Sequence, residues 1–289
     1  MTTRLSAFAL VVASVVGIEA LVRAAVQPNF SVRVEGVRVD ALVTDNNRPV
    51  LGLGAEDFEL RDNGVLQSIQ LVSLDRLPLN IVLALDLSIS VEGERLERLR
   101  GAGRALLASA RPDDRTGLVT FSETVTLKCT LSTDARCLRD ALSTVQSGGQ
   151  TSLIDGTYAA MVLGESEPGR SLVMVFSDRF DTASWLAASR VVDTAKRTDI
   201  VVYGVMASPG QSRFLRDLSD TTGGRMLRGD GNEDLSAVFV KILDEFRQRY
   251  VLTYTPTGVS EPGWHELSVR VKRRGASVRV RPGYQVNPR

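Results

Sequence analysis

The stretch Asn80-Ile-Val-Leu-Ala-Leu-Asp86-Leu-Ser88-Ile-Ser90 decides the fold, because five consecutive apolar residues run directly into one carboxylate and two hydroxyls. An unbroken apolar run of this length predicts a strand buried on both faces. Oxygen-bearing side chains at its carboxyl end then stand where open parallel sheets hold their ligands.

Outward from this run, buried-strand patterns recur at residues 117–121, 172–176 and 200–206. Between them apolar residues keep helical spacing, as in Leu96, Leu99, Gly103, Leu106 and Leu107, and again in Leu235, Val238, Phe239, Ile242, Leu243 and Phe246. Strand and helix in alternation predict an α/β fold with a doubly wound, mostly parallel, Rossmann-like sheet over residues 78–248.

Both flanks read as β-structure. Val37, Val39, Ala41 and Val43 alternate with polar residues, and Asn63-Gly64 is a two-residue hairpin signal between residues 57–62 and 65–72. Phe30, Val32 and Val34 alternate on the opposite parity, which predicts a bulge or turn at Glu35-Gly36. Residues 250–254, 266–271 and 277–280 return to strand character. Neither end piece has enough strands to be stable alone, so residues 28–77 and 249–286 are expected to pair into one small β-domain with the α/β unit inserted between them.

The chain of 289 residues, 43% apolar, suffices for one or two domains. Its 35 Lys plus Arg against 34 Asp plus Glu give a net charge of +1, which offers no broad attraction to nucleic acid. Met1-Thr-Thr-Arg4, the apolar residues 5–17 and the small Ala24 and Ala25 have the make-up of a secretory signal over residues 1–25. The alternative is an uncleaved anchor, but Glu19 and Arg23 leave the run short of the roughly 20 residues that span a bilayer. The expectation is export to the periplasm or outside the cell, with no stable membrane span after cleavage. Cys129, just after the strand-like residues 125–128, and Cys137, opening the helix-like residues 137–145, suit an oxidising compartment, either as a loop-to-helix disulfide or as two unlinked small core residues.

Three loops leave the carboxyl side of the expected sheet with oxygen-bearing side chains. The first carries Asp86, Ser88 and Ser90; the second, Gly148-Gly149-Gln150-Thr151, presents Thr151 just before a helix; the third ends in Ser177-Asp178. Few carboxylates among several hydroxyls suit a small, hard, octahedral cation, Mg²⁺ or Mn²⁺, better than Zn²⁺. At these residues the chain resembles the von Willebrand factor type A (VWA) domain family, whose metal-ion-dependent adhesion site has the form D-x-S-x-S, then T, then D. Asp57-Phe58-Glu59 ahead of the domain, and residues 248–254 and 281–284 after it, resemble a bacterial exported subgroup of VWA-related proteins. The resemblance implies a metal site of Asp86, Ser88, Ser90, Thr151 and Asp178 that binds the Asp or Glu side chain of a partner protein through the cation. Two positions depart from the family pattern. Ile89 and Arg179 stand where glycine is common, and Asp181 is available to offset Arg179. The alternative is a metal-free structural or assembly domain in which the same residues form turns and helix caps.

Enzyme readings lack their groups. A phosphatase of the haloacid-dehalogenase type would need a carboxylate where Ser88 stands, and a serine hydrolase needs a nucleophile elbow and a usable histidine. The only histidine, His265, reads as a strand-end residue. No nucleotide-binding glycine loop follows a strand. The basic tail, where Val269, Val271, Val278 and Val280 alternate with Arg270, Lys272, Arg279 and Arg281, reads as a hairpin with one solvated face, and Trp185 and Trp264 as packing residues.

Overall fold

The computed structural model describes residues 36–72, 77–207, 212–229, 234–259 and 261–287. The signal-like segment 1–25 and the alternation at Phe30, Val32 and Val34 lie outside the described residues. Gly36–Arg289 form one compact unit.

The first strands are β1 (Val37–Asp45), β2 (Arg48–Pro49), β3 (Phe58–Asp62), β4 (Val65–Leu66) and β5 (Gln70–Val72). The α/β unit then runs β6 (Leu79–Asp86), α1 (Glu94–Ser109), β7 (Arg115–Phe121), β8 (Val125–Ser132), α2 (Arg136–Thr144), α3 (Leu153–Glu165), β9 (Arg170–Ser177), α4 (Ala188–Ala195), β10 (Val201–Met206), α5 (Arg213–Thr221), β11 (Met226–Arg228) and α6 (Leu235–Arg247). Four strands close the chain: β12 (Tyr250–Tyr254), β13 (Gly263–Val271), β14 (Ser277–Arg279) and β15 (Gly283–Val286).

The central sheet has the order β11-β10-β9-β6-β7-β8, parallel except for the antiparallel edge strand β8. Strand β6 lies in the middle, and its eight residues are all buried. Its side chains alternate between two cores, as strand geometry demands. Leu79, Ile81, Leu83 and Leu85 join α1, α2 and α6 on one face, while Val82 and Ala84 join α3, α4 and α5 on the other. Each fully buried Leu or Val here contributes about 1.5–3 kcal/mol relative to exposure. The apolar run at residues 81–85 is therefore continuous because both faces of the strand are covered.

The flanking strands form two antiparallel sheets. One has the order β14-β1-β12-β5 with β2 on β1; the other is β15-β13-β3-β4. Strands from both ends of the chain alternate in each, β1 with β12 and β14, and β3 with β13. Between the sheets Val39, Ala41, Val43, Phe58, Leu60, Tyr250, Leu252 and Leu267 make a third core. These are antiparallel sheets built from the N- and C-terminal strands together, as the sequence suggests, within the one compact unit, and with three differences. Residues 65–72 divide into β4 and β5, which belong to different sheets, and the basic tail is no hairpin, because β13 pairs with β3 and β15 while β14 pairs with β1. His265 sits inside β13 and is buried. Its Nδ1 lies 2.8 Å from Asp62 Oδ1, and both Tyr254 and Tyr284 donate to Asp62 Oδ2. Burial pushes both tyrosine hydroxyls above their ordinary pKa.

Arginines join the β-domain to the amino ends of the central strands. Arg170, the first residue of β9, pairs through Nε (2.9 Å) and Nη2 with Asp40 of β1; Nη2 also donates to the Phe246 carbonyl. Its guanidinium lies 4.6 Å from the centroid of the Phe246 ring. Arg249 donates to Tyr203 Oη (2.9 Å), the Gly223 carbonyl (2.6 Å) and the Asp40 carbonyl (3.3 Å). Arg281 donates to the carbonyls of Lys196 and Thr198. These side chains are buried because they satisfy backbone carbonyls that end on the seam.

Cys129 and Cys137 are disulfide-bonded, with their Cα atoms 6.0 Å apart. The sequence places Cys129 just after a strand, but β8 continues through it to Ser132. The bond therefore ties α2 to the body of the edge strand. No helix among the described residues is long and apolar enough to cross a membrane.

Candidate metal site

The three oxygen-bearing loops meet at the carboxyl ends of β6, β7 and β9. The Leu87 amide donates to the Phe121 carbonyl (2.8 Å), and the Gly148 amide to the Leu87 carbonyl (2.8 Å). Gly149, in the left-handed region at φ 77°, turns its carbonyl onto the Ile89 amide (3.1 Å), so the second loop locks the first. Helix α3 approaches closely at Gly156, where a Cβ would stand 2.4 Å from the Phe121 ring. That contact seats the α3 amino end, and Thr151 before it, against the strands.

Asp86 is fully buried at the end of β6. Its Oδ1 accepts the Ser88 amide (2.8 Å) and its Oδ2 the Ser177 hydroxyl (2.6 Å). Ser88 Oγ and Ser90 Oγ are 3.1 Å apart, and Ser90 Oγ donates to Asp178 Oδ1 (2.6 Å). Four of the five sequence-indicated residues thus form one chain of contacts. Thr151 is buried on the facing loop, its carbonyl bonded by the Thr182 and Ala183 amides. Burial pushes the Asp86 carboxyl above its ordinary pKa; hydrogen bonds from Ser177 and Ser88 pull it back, and the Asp178 charge adds to the rise.

Among the described residues no Lys or Arg pairs with Asp86. A buried carboxylate without a compensating charge is costly. The donor set of two buried carboxylates, Asp86 and Asp178, with neighbouring hydroxyls fits a small hard cation. Among the described residues no three His, Cys, Asp or Glu side chains come together as a metal-ligand group.

Ile89 does not disturb the loop. It opens a 3₁₀ turn, Ile89–Val91, with Ser88 in extended conformation before it, and its side chain is 64% exposed. The turn does not require left-handed angles at this position, because Gly149 and Gly93 carry them. Asp86 makes the Asx-type contact to Ser88, while Ser88 occupies the cap position without a side-chain cap bond. Asp181 caps α3, accepting the Ile154 amide (3.2 Å) together with Ser184 Oγ (3.0 Å). It therefore holds the third loop on the second.

Two residues beside the site were given no role from the sequence: Ser177, named there only ahead of Asp178, and Arg95. Ser177, the last residue of β9, orients Asp86. Arg95 donates from Nη1 to Asp178 Oδ2 (2.8 Å) and to the Ser90 carbonyl (3.1 Å). A cation in the first turn of a helix opposes the macrodipole, and that unfavourable position was the available signal of a partner. Trp185 also departs from expectation. It is 95% exposed, which rules out a packing role, whereas Trp264 is partly covered, with Lys196 Nζ 5.7 Å from its ring centroid.

A mostly parallel sheet with helices on both faces and its polar residues gathered at the strands' carboxyl ends defines an open α/β ligand-binding fold. Within that class, residues 80–239, more than half of the chain, match the von Willebrand factor type A domain family, and the chain belongs to it. Its fold is similar to a von Willebrand factor type A protein from Catenulispora acidiphila (10% identity, 89% of this chain and 74% of that one, TM-score 0.54). It is also similar to the PilB minor pilin of Streptococcus sanguinis, solved as a D319A mutant (13% identity, 60% of this chain and 62% of that one, TM-score 0.50). A third likeness is to proximal thread matrix protein 1 from the mussel byssus (15% identity, 64% and 49%, TM-score 0.51). The chain spans less than two thirds of the length of the latter two. No curated protein sequence matches the chain.

Proposed function

We propose that this chain is a non-enzymatic binding module, exported to the periplasm or beyond. In this reading Asp86, Ser88, Ser90, Thr151 and Asp178 would hold Mg²⁺ or Mn²⁺ and engage an Asp or Glu side chain of a partner protein. The observation that carries it is Asp86, buried, hydrogen-bonded on both oxygens and without a cationic side chain. Such a cation supplies a Lewis-acidic position that a partner carboxylate completes. Ser177 and the Ser88 amide fix the Asp86 carboxylate, Ser90 fixes Asp178, and the Gly149 carbonyl fixes the first loop against the second. The exported location is supported by the Cys129–Cys137 disulfide, which suits an oxidising compartment, and by the signal-like sequence at residues 1–25. The family's usual role as an interaction module and the absence of a nucleophile–histidine pair at the site support binding over turnover.

One observation favours the metal-free alternative: Arg95 already neutralises Asp178. Thermal unfolding of chelator-stripped protein during a magnesium titration separates the two. At a hundredfold excess over the dissociation constant, ligand linkage adds about 2.7 kcal/mol of stability. For a unit of this size that raises the midpoint by roughly 5–10 °C. The rise is expected to vanish in Asp86→Ala. No rise in the unsubstituted chain at saturating Mg²⁺ or Mn²⁺ sinks the metal reading and leaves the structural one.

A further inference from the structure

Arg95 is the second residue of α1, and its side chain is 55% exposed, yet its Nη1 reaches inward to Asp178 Oδ2 (2.8 Å) and to the Ser90 carbonyl (3.1 Å). The Asp178 side chain beneath it is only 1% exposed. Its other oxygen, Oδ1, accepts the Ser90 hydroxyl (2.6 Å), and Ser90 Oγ lies 3.1 Å from Ser88 Oγ. The guanidinium therefore covers the Ser90 and Asp178 half of the candidate donor set and leaves the Asp86 half uncovered.

The helix itself does not favour a cation at that place. The first turn carries the positive end of the helix dipole, which repels a guanidinium. Two further arginines of α1 pair along the helix, Arg98 with Glu94 and Arg100 with Glu97. Arg95 instead leaves the helix for the strand-end loops. What draws it there is Asp178, through a charge-assisted hydrogen bond strengthened by the burial of the carboxylate.

A guanidinium and a divalent cation compete for such a carboxylate. A small hard cation seats about 2.0–2.6 Å from the oxygens that ligate it, so on Asp178 it would stand within a few ångströms of Arg95. Like charges at that range, away from bulk water, repel strongly. The exposed stem of Arg95 gives the guanidinium a way out to solvent that leaves α1 undisturbed.

We infer that Arg95 is a tethered competitor of the metal: it occupies Asp178 in the metal-free chain, and loading exchanges one cation for the other on that carboxylate. This rests on the metal reading above. The exchange sets the affinity of the site below what the five ligands alone would give, and it makes the metal-free chain self-compensated at Asp178.

The test uses the full chain stripped with chelator, with Mn²⁺ as the probe and the electron paramagnetic resonance signal of free aqueous Mn²⁺ as the readout. Arg95→Met removes the charge and keeps an unbranched stem. Arg98→Met makes the same change of net charge one turn along the helix. Arg95→Met is expected to bind Mn²⁺ about tenfold more tightly than the unsubstituted chain, and Arg98→Met to bind like it. Thermal melts report the other half of the exchange. In chelator Arg95→Met is expected to be less stable than the unsubstituted chain, because Asp178 loses its cation, and saturating Mn²⁺ is expected to reverse that order. Equal or weaker binding by Arg95→Met overturns the competitor and leaves the metal site standing. The same gain in both variants also overturns it, as an effect of net charge alone. Failure of all three proteins to bind Mn²⁺ overturns the competitor and the metal reading together.

Discussion

Replacing Asp40 by alanine is the sharpest probe of how the two parts of the chain are held together. Arg170 is buried and directs Nε and Nη2 to Asp40 Oδ1, while Nη1 has no hydrogen-bond partner among the described residues. Asp40→Ala leaves a guanidinium on the seam with the Phe246 carbonyl and the Phe246 ring as its remaining contacts. Stranding a buried charge costs about 3–5 kcal/mol, far more than an exposed pair is worth. For a unit of roughly 250 residues, each kcal/mol lowers the unfolding midpoint by about 2–4 °C, so a loss of roughly 6–20 °C is expected. Arg170→Met strands Asp40 in turn and carries a penalty of the same order. The double variant Asp40→Ala with Arg170→Met removes both charges, at the expense of one bond to the Phe246 carbonyl worth about 1 kcal/mol. It is expected near the stability of the unsubstituted chain. Thermal and urea unfolding of the four proteins closes the cycle. Single variants within about 1 kcal/mol of the parent, or a double variant as unstable as the sum of the singles, would refute the account of the seam as a charge-matched junction.

The other perturbations are local. Cys137→Ser opens an eight-residue separation in a chain-entropy model worth about 2.5 kcal/mol, and unfolding midpoints with and without reductant should converge in the variant. Gly156→Ala drives a methyl into the Phe121 ring, with an expected loss of about 1–3 kcal/mol and a weakened magnesium response, read in the same melts. Gly64→Ala, at φ 81° in the turn between β3 and β4, should cost about 1 kcal/mol through backbone strain without changing the magnesium response.

The central sheet was legible because each of its buried strands writes its environment into consecutive residues: in β6 and β9 every side chain must be apolar or capped. Asp86 and Asp178 stood out as the ends of apolar runs and Thr151 as the start of a helical one, while the grouping of the five as ligands came from the family resemblance. Pairing in the β-domain was only partly so. Val65 to Val72 carries no mark of where β4 hands over to β5, because β4 pairs with the neighbouring β3 while the partner of β5 lies about 180 residues along the chain. Arg170, Arg249 and Arg281 escaped because an arginine beside a strand reads as a solvated end, and only the tertiary seam buries it. Trp185 escaped for the opposite reason: exposure of an aromatic is invisible to a pattern that counts it as core.

The seam also has a mechanical consequence. The chain enters the α/β unit from β5 and leaves it into β12, and both strands belong to the same sheet. Tension applied between residues 36 and 287 therefore runs through β1, the third core, β13 and β15, and must part those strands before it reaches residue 79. The strand-end site hangs beside the line of force. In the proposed binding reading, a partner held there would feel the anchor move as one body, with the loops at the strand ends themselves unstretched.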